Sequence, residues 1–83
     1  LKAFPDPFST LTNITYSILE SADIELFVYN ICGQEVSILD KGFKQKGKYT
    51  IKWDARDFPS GIYFCELKVG STLLQTKKLL LLR

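Results

Sequence analysis

The residues of this chain that could perform chemistry are few. Histidine is absent from its 83 residues, which excludes Ser-His-Asp and Cys-His catalysis within the chain and every metal site that uses imidazole. The two cysteines, Cys32 and Cys65, do not form a C-x-x-C pair, and two thiols without histidine do not complete a tetrahedral zinc site. The sequence therefore predicts no metal site and no cofactor.

A pair of carboxylates is the remaining arrangement that could catalyse hydrolysis. Asp54 and Asp57 flank Arg56 in the connection between Trp53 and Gly61. Aspartates in such a connection more often accept hydrogen bonds from nearby backbone N–H groups. A chain of this length also offers little depth for a substrate cleft. We therefore predict that the protein is not an enzyme and has no small-molecule substrate.

The two thiols could instead form a disulfide if their Cα atoms lie within about 7 Å of each other. The pattern around Cys65 places it on the inward side of a strand, whereas Cys32 stands beside Gly33 in a turn. We favour two thiols that are reduced and buried. Neither is expected to be reactive, because no histidine or helix N-terminus stands near to activate it.

A group of lysines forms the most basic part of the chain: Lys41, Lys44, Lys46, Lys48 and Lys52. One interpretation is a loop that binds phosphate, polysaccharide or lipid head groups. We favour a solvated hairpin whose lysines keep an edge strand from pairing with other chains. Aromatic residues do not interleave with these lysines as base stacking would need, and the net charge is only +2. We therefore predict no nucleic-acid partner.

The elements that position these residues are predicted to be strands, because apolar residues recur at every second position. The clearest alternating runs lie at 14–18, 24–28, 49–53 and 63–69, with shorter apolar stretches at 36–39 and 73–82. Turn signals separate them at intervals of about 8–12 residues, and no run has helical spacing. This pattern predicts an all-β fold, an antiparallel β-sandwich of about seven strands. An open barrel is the alternative.

Length and composition indicate one domain over residues 1–83, with 46% hydrophobic residues to form its core. The longest uninterrupted apolar run has four residues, far short of the roughly 20 that span a bilayer as a helix. The sequence begins at Leu1 without Met. We therefore expect it to be a piece of a larger protein, with Arg83 as the C-terminus of that protein.

The last seven residues, 77–83, are here called the tail. They are two lysines, four leucines and an arginine: Lys77, Lys78, Leu79, Leu80, Leu81, Leu82 and Arg83. Spacing alone favours a final strand buried on both faces and bounded by charges. The alternative is a terminal address peptide that a partner reads through strand addition or through its carboxylate.

Four parts of the chain, in order, resemble one family. They are residues 4–8 with the strand 14–18, residues 28–36, residues 53–64, and the tail. Together they are similar to the type A C-terminal sorting domains of the type IX secretion system. The third part is the most specific, since a Trp-Asp strand end leads through Pro-Ser-Gly into an aromatic strand. The motif residues are Pro5, Pro7, Tyr29, Gly33, Trp53, Asp54, Pro59, Gly61 and Tyr63.

The resemblance implies an immunoglobulin-like sandwich that acts as an export signal and performs no chemistry. Its partners would be an N-terminal cargo domain, an outer-membrane translocon and a sortase-like peptidase. The protein would cross the periplasm and reach the cell surface or the medium. By the same resemblance, the tail would be the element that the machinery recognises.

A second function class remains open at this point. The same pattern occurs in carbohydrate-binding and adhesion modules, and in the structural domain of flagellar hook-capping proteins. A sugar-binding module should expose aromatic platforms. Phe27, Phe43 and Phe58 are the plausible platforms in this sequence.

Overall fold

The computed structural model describes the backbone of residues 1–83 and every side chain except those of Leu73 and Leu74. The chain forms seven strands: β1 (Lys2–Phe4), β2 (Leu11–Ile18), β3 (Ala22–Asn30), β4 (Glu35–Lys44), β5 (Gly47–Asp54), β6 (Gly61–Val69) and β7 (Thr72–Leu81). Over the described backbone there is no helix, and thus no apolar helix of membrane-spanning length.

The strands form two antiparallel sheets that pack face to face. The three-stranded sheet has the order β1-β2-β5, and the four-stranded sheet has the order β4-β3-β6-β7. The connection between β4 and β5 carries the chain from one sheet to the other. In the backbone that the structure describes, no strand of one sheet pairs with a strand of the other, so the two sheets stay separate rather than closing into a barrel. The predicted immunoglobulin-like sandwich of about seven strands is confirmed.

Inward-facing residues from both sheets form one core, because side chains alternate across each strand. In β6, for example, Tyr63, Cys65 and Leu67 are buried while the residues between them face outward and are half-buried. Among the described side chains, the buried core consists of Phe8, Ile14, Tyr16, Ile18, Ile24, Leu26, Val28, Trp53, Ala55, Tyr63, Cys65, Leu67, Leu79 and Leu81. The predicted alternation of the long strands is thus confirmed.

An aromatic cluster closes one end of the core. The ring of Trp53 lies 5.7 Å from Phe8, 5.6 Å from Phe58 and 5.5 Å from Tyr63, measured between ring centroids. The Tyr63 hydroxyl donates a hydrogen bond of 2.6 Å to the Pro59 carbonyl. A tyrosine near the start of the sixth strand that bonds backward to the preceding loop is the tyrosine corner of immunoglobulin-like sandwiches.

The N-terminal segment, residues 5–8, crosses from the first sheet to the second. It follows β1, which pairs with β2, and it ends at Phe8, which forms a parallel bridge with Leu81 of β7. This short connection was not predicted from hydrophobic alternation. It brings the beginning of the chain against the tail.

Candidate functional site

The tail forms the end of β7 and the two residues after it. Its inner edge pairs with β6, where Leu79, Leu80 and Leu81 lie opposite Tyr63, Ile62 and Gly61. Leu79 and Leu81 are fully buried, whereas Leu80 is half-buried and Leu82 is 52% exposed. The prediction of a strand buried on both faces is therefore wrong. A two-layer sandwich covers only the inner face of each sheet, so alternate leucines face outward.

The outer edge of the tail is held by the N-terminal segment. The Phe8 N–H donates to the Leu80 carbonyl at 3.0 Å, and the Leu82 N–H donates to the Phe8 carbonyl at 2.9 Å. The Leu80 N–H donates to Oδ1 of Asp6 at 3.0 Å. From Leu80 to Leu82 the tail is thus bonded along its outer edge as well.

The two adjacent lysines of the tail have different environments. Nζ of Lys77 lies 3.8 Å from Oδ2 of Asp6, so its charge is directed toward the N-terminal segment. Lys78 pairs with Phe64 across the ladder, is exposed, and makes no ion pair with any side chain that the structure describes. Residues next to each other in a strand point to opposite faces, which separates the two charges.

Arg83 fixes the end of the tail to the loop after β5. Its guanidinium donates to the carbonyls of Ala55 and Phe58, and its backbone N–H donates to Oγ of Ser60 at 3.0 Å. This loop also carries the Pro-Ser-Gly motif found in the sequence. The motif and the tail, far apart in sequence, are therefore in direct contact.

The prolines of the first motif shape the segment that holds the tail. Pro5 and Pro7, each preceded by a cis peptide bond, flank Asp6. The Pro5 carbonyl accepts a hydrogen bond of 2.7 Å from the hydroxyl of Thr12, a fully buried side chain. Hydrophobic periodicity missed Asp6. The Pro-Asp-Pro signal could have identified it, because aspartate in a turn bonds backbone N–H groups.

Asp54 is paired with Arg56 in the loop after β5. Oδ2 of Asp54 lies 2.6 Å from Nη2 of Arg56, and Oδ1 accepts the Arg56 backbone N–H at 3.1 Å. Hydrogen bonding from the Arg56 side chain is the main cause that lowers the pKa of Asp54. Asp54 and Asp57 are both exposed, and an ionised, exposed carboxylate paired with arginine is a loop-closing group rather than a general acid.

Tyr29 lies in β3, which is separated from the tail by β6, and Gly33 lies in the turn after β3. The Tyr29 hydroxyl donates to Oε2 of Glu66 at 2.8 Å, which raises the pKa of Tyr29. Its ring stacks on Phe64 with centroids 5.4 Å apart. Gly33 has a φ of +82° in the turn between β3 and β4, a left-handed conformation that glycine adopts without strain.

The cysteine prediction is correct for one residue and wrong for the other. Both thiols are free; Cys65 is fully buried, and burial raises its pKa to about 12. Cys32 is exposed. It lies in the β3–β4 turn, where its N–H bonds Oδ1 of Asn30 at 2.9 Å, and a turn projects its residues beyond both sheets.

The lysine group is spread over β4, β5 and the connection between them rather than converging on one site. The predicted hairpin is wrong, because β4 and β5 belong to different sheets. Lys41 pairs with Glu25 at 3.6 Å and Lys44 with Asp40 at 3.2 Å. The other three, Lys46, Lys48 and Lys52, are exposed. β5 is an edge strand of its sheet, so this distribution favours solvated lysines that keep an edge from pairing over an anion site.

Asp40 belongs to a polar network between the sheets. The Tyr16 hydroxyl donates to Oδ2 of Asp40 at 2.7 Å, and the Tyr16 ring stacks on Tyr49 at 5.3 Å. Burial pushes the pKa of Asp40 upward, but the Tyr16 hydrogen bond and the Lys44 ammonium outweigh burial and hold it below its usual range. Burial raises the pKa of Tyr16. The network joins β2 to β4.

The structure leaves one of the three proposed sugar platforms in place. Phe27 is only 8% exposed and Phe58 packs against Trp53, whereas Phe43 is 65% exposed. Tyr29 and Phe64 also face outward, but each ring uses one face against the other. A groove of about 600 Å³ near the β2–β3 turn is lined by apolar and polar side chains: Ser17, Ile18, Leu19, Glu20, Ser21, Ala22, Val69 and Gln75. Among the described side chains, no three potential metal ligands cluster.

Comparison with known proteins gives one match. Residues 2–82 match the family model of the secretion system C-terminal sorting domain. The match includes the N-terminal segment, the Trp53 loop and most of the tail. No curated protein and no solved structure matches the chain.

Proposed function

The chain belongs to the secretion system C-terminal sorting domains and is a sorting signal of the type IX secretion system; on this premise we propose that the machinery recognises it through its tail. The tail residues in question are Lys77, Lys78, Leu79, Leu80, Leu81, Leu82 and Arg83. A sorting domain of this kind is attached to an N-terminal cargo and leads to export across the outer membrane.

One observation carries the proposal: side chains of the tail are exposed at the surface while its backbone is bonded along one edge to β6 and along the other to the N-terminal segment. Leu79 and Leu81 enter the core, and Lys78 and Leu82 remain exposed. Asp6 and the loop at Ala55 and Phe58 bind the tail at its two ends. The tail therefore has a defined shape and accessible side chains, which a receptor needs for specific recognition.

The proposed route follows from this role. The cargo-bearing protein passes through the periplasm, engages an outer-membrane translocon by the tail, and is released or attached at the surface after a sortase-like peptidase removes the domain. The family is in general non-catalytic, and we propose that this member is a signal and not an enzyme. The exposed, arginine-paired Asp54 and the buried thiol of Cys65 support that role.

The test is a fusion of residues 1–83 to the C-terminus of a periplasm-targeted fluorescent protein, expressed in a bacterium with a working type IX system. The intact fusion should reach the surface or the medium. A fusion that ends at Thr76 should remain in the periplasm. Retention of the intact fusion inside the cell would contradict the proposal.

Truncation also removes Leu79 and Leu81 from the core, so a second variant is needed. Lys77→Ala with Lys78→Ala keeps all four leucines and should fold, as circular dichroism of the purified fusion can verify. If this folded double variant is exported like the intact fusion, the lysines are not part of the recognised element.

A further inference from the structure

The outward side chains of the tail continue a patch on the outer face of the four-stranded sheet. Lys78 lies opposite Phe64, and Leu80 lies opposite Ile62. Phe64 in turn lies opposite Tyr29 of β3. We call these five residues the outer patch: Tyr29, Ile62, Phe64, Lys78 and Leu80. All but Lys78 are half-buried, so each of the other four contributes apolar surface to the patch.

The tail is not free to leave the sheet and bind a receptor as an extended peptide. Detaching Leu80 to Leu82 would break the three hydrogen bonds to the N-terminal segment and the pairing with β6. It would also expose Leu79 and Leu81, which are fully buried. A receptor that reads the tail in place avoids this loss, and only the outward side chains are then available to it.

Lys78 differs in its charge partners from two other lysines of the four-stranded sheet. Lys41 has Glu25 at 3.6 Å, and the ammonium of Lys68 lies 5.3 Å from the centroid of the Phe27 ring. Glu66 accepts the Tyr29 hydroxyl. Lys78 alone in this group has no such partner among the described side chains. A surface that covers the patch must supply a carboxylate at this point, because an unpaired ammonium is costly to bury.

We propose that the outer patch is a docking surface for a protein of the export machinery, one that presents apolar side chains to Ile62, Phe64 and Leu80 and a carboxylate to Lys78. The proposal rests on the proposed function of the tail. It assigns different tasks to the two adjacent lysines: Lys78 contacts the partner, whereas Lys77 binds Asp6 within the domain.

The experiment uses the fluorescent fusion of the whole chain and compares four versions. Lys78→Glu should lower the exported fraction by about tenfold or more, since it opposes like charges in the interface, and Lys78→Gln should lower it less. Lys52→Glu is the matched control, because Lys52 is an exposed strand lysine of the other sheet. It should be exported like the unmodified fusion.

A fourth version, Ile62→Thr, tests the apolar part of the patch with a side chain that suits a strand equally well. It should lower export while thermal unfolding of the purified fusion remains cooperative. The inference is overturned if Lys78→Glu is exported normally, or if Lys52→Glu lowers export as much as Lys78→Glu. If the unmodified fusion itself is not exported, the proposed function fails instead.

Discussion

Oδ2 of Asp6 lies 3.8 Å from the ammonium of Lys77, and Oδ1 of the same carboxylate accepts the N–H of Leu80 at 3.0 Å. One side chain near the start of the chain therefore binds the last strand at two points. An asparagine at this position could replace only the second of these contacts, through its amide oxygen.

Replacing Asp6 separates the two contacts. Asp6→Ala should lower the free energy of unfolding by about 1–2 kcal/mol, because the part-buried Leu80 N–H loses its acceptor. Asp6→Asn keeps an acceptor and loses only a partly exposed ion pair, so it should cost about 0–1 kcal/mol. Urea unfolding followed by circular dichroism measures both. Equal losses in the two variants would contradict this division.

Trp53 should be the most sensitive position in the core. It is 2% exposed and contacts Phe8, Phe58 and Tyr63. Trp53→Ala should cost about 3–5 kcal/mol through the cavity that it leaves, a large part of the roughly 5–10 kcal/mol available to a domain of this size. The loss should appear as a lower urea midpoint. A midpoint within experimental error of the unmodified chain would contradict the central position of this ring.

Asp40 should make the domain less stable in acid. Its pKa in the folded state lies below the unfolded value of 3.8, so the ionised form stabilises the fold above that value. The stabilisation should disappear as the pH falls from 3.8 through the lower folded pKa. Asp40→Asn should flatten this part of the curve of unfolding free energy against pH. A curve of unchanged slope would show that another group is responsible.

The two thiols should differ in reactivity. In the native protein, iodoacetamide should label the exposed Cys32 and leave Cys65, whose pKa is raised to about 12 by burial, unmodified. Unfolding in urea without a reductant should then expose the second thiol. Mass spectrometry counts the labels. Two labels on the native protein would contradict the buried position of Cys65. No label after unfolding would contradict the free state of the thiols.

The lysine group around the β4–β5 connection should tolerate neutralisation at some positions and not at others. Lys46→Ser with Lys48→Ser should change the free energy of unfolding by no more than about 0.5 kcal/mol, because both residues are exposed. Lys44→Ser should cost more, since Lys44 pairs with Asp40 and lies 5.7 Å from the Tyr49 ring centroid. An equal effect of the two changes would argue against the Asp40 network as described.

Much of this protein can be predicted from short stretches of its sequence. The inward positions of Tyr63, Cys65 and Leu67 follow from period-two alternation, because successive side chains of a strand point to opposite faces whatever surrounds them. The central place of β3 follows from apolar residues on both of its faces, Phe27 among them. The order of the motifs along the sequence likewise identified the family, and this required no knowledge of long-range contacts.

The candidate site depends on information that no local pattern contains. Asp6 and Leu80 are 74 positions apart, and only the order of strands in two sheets brings them together. Packing of the two sheets covers only their inner faces, which leaves Leu80 and Leu82 outside the core. The same arrangement places Lys77 near Asp6 and Lys78 opposite Phe64. Alternation along a strand determines which residues share a face, but the packing of the sheets determines which face is covered and which charge acquires a partner.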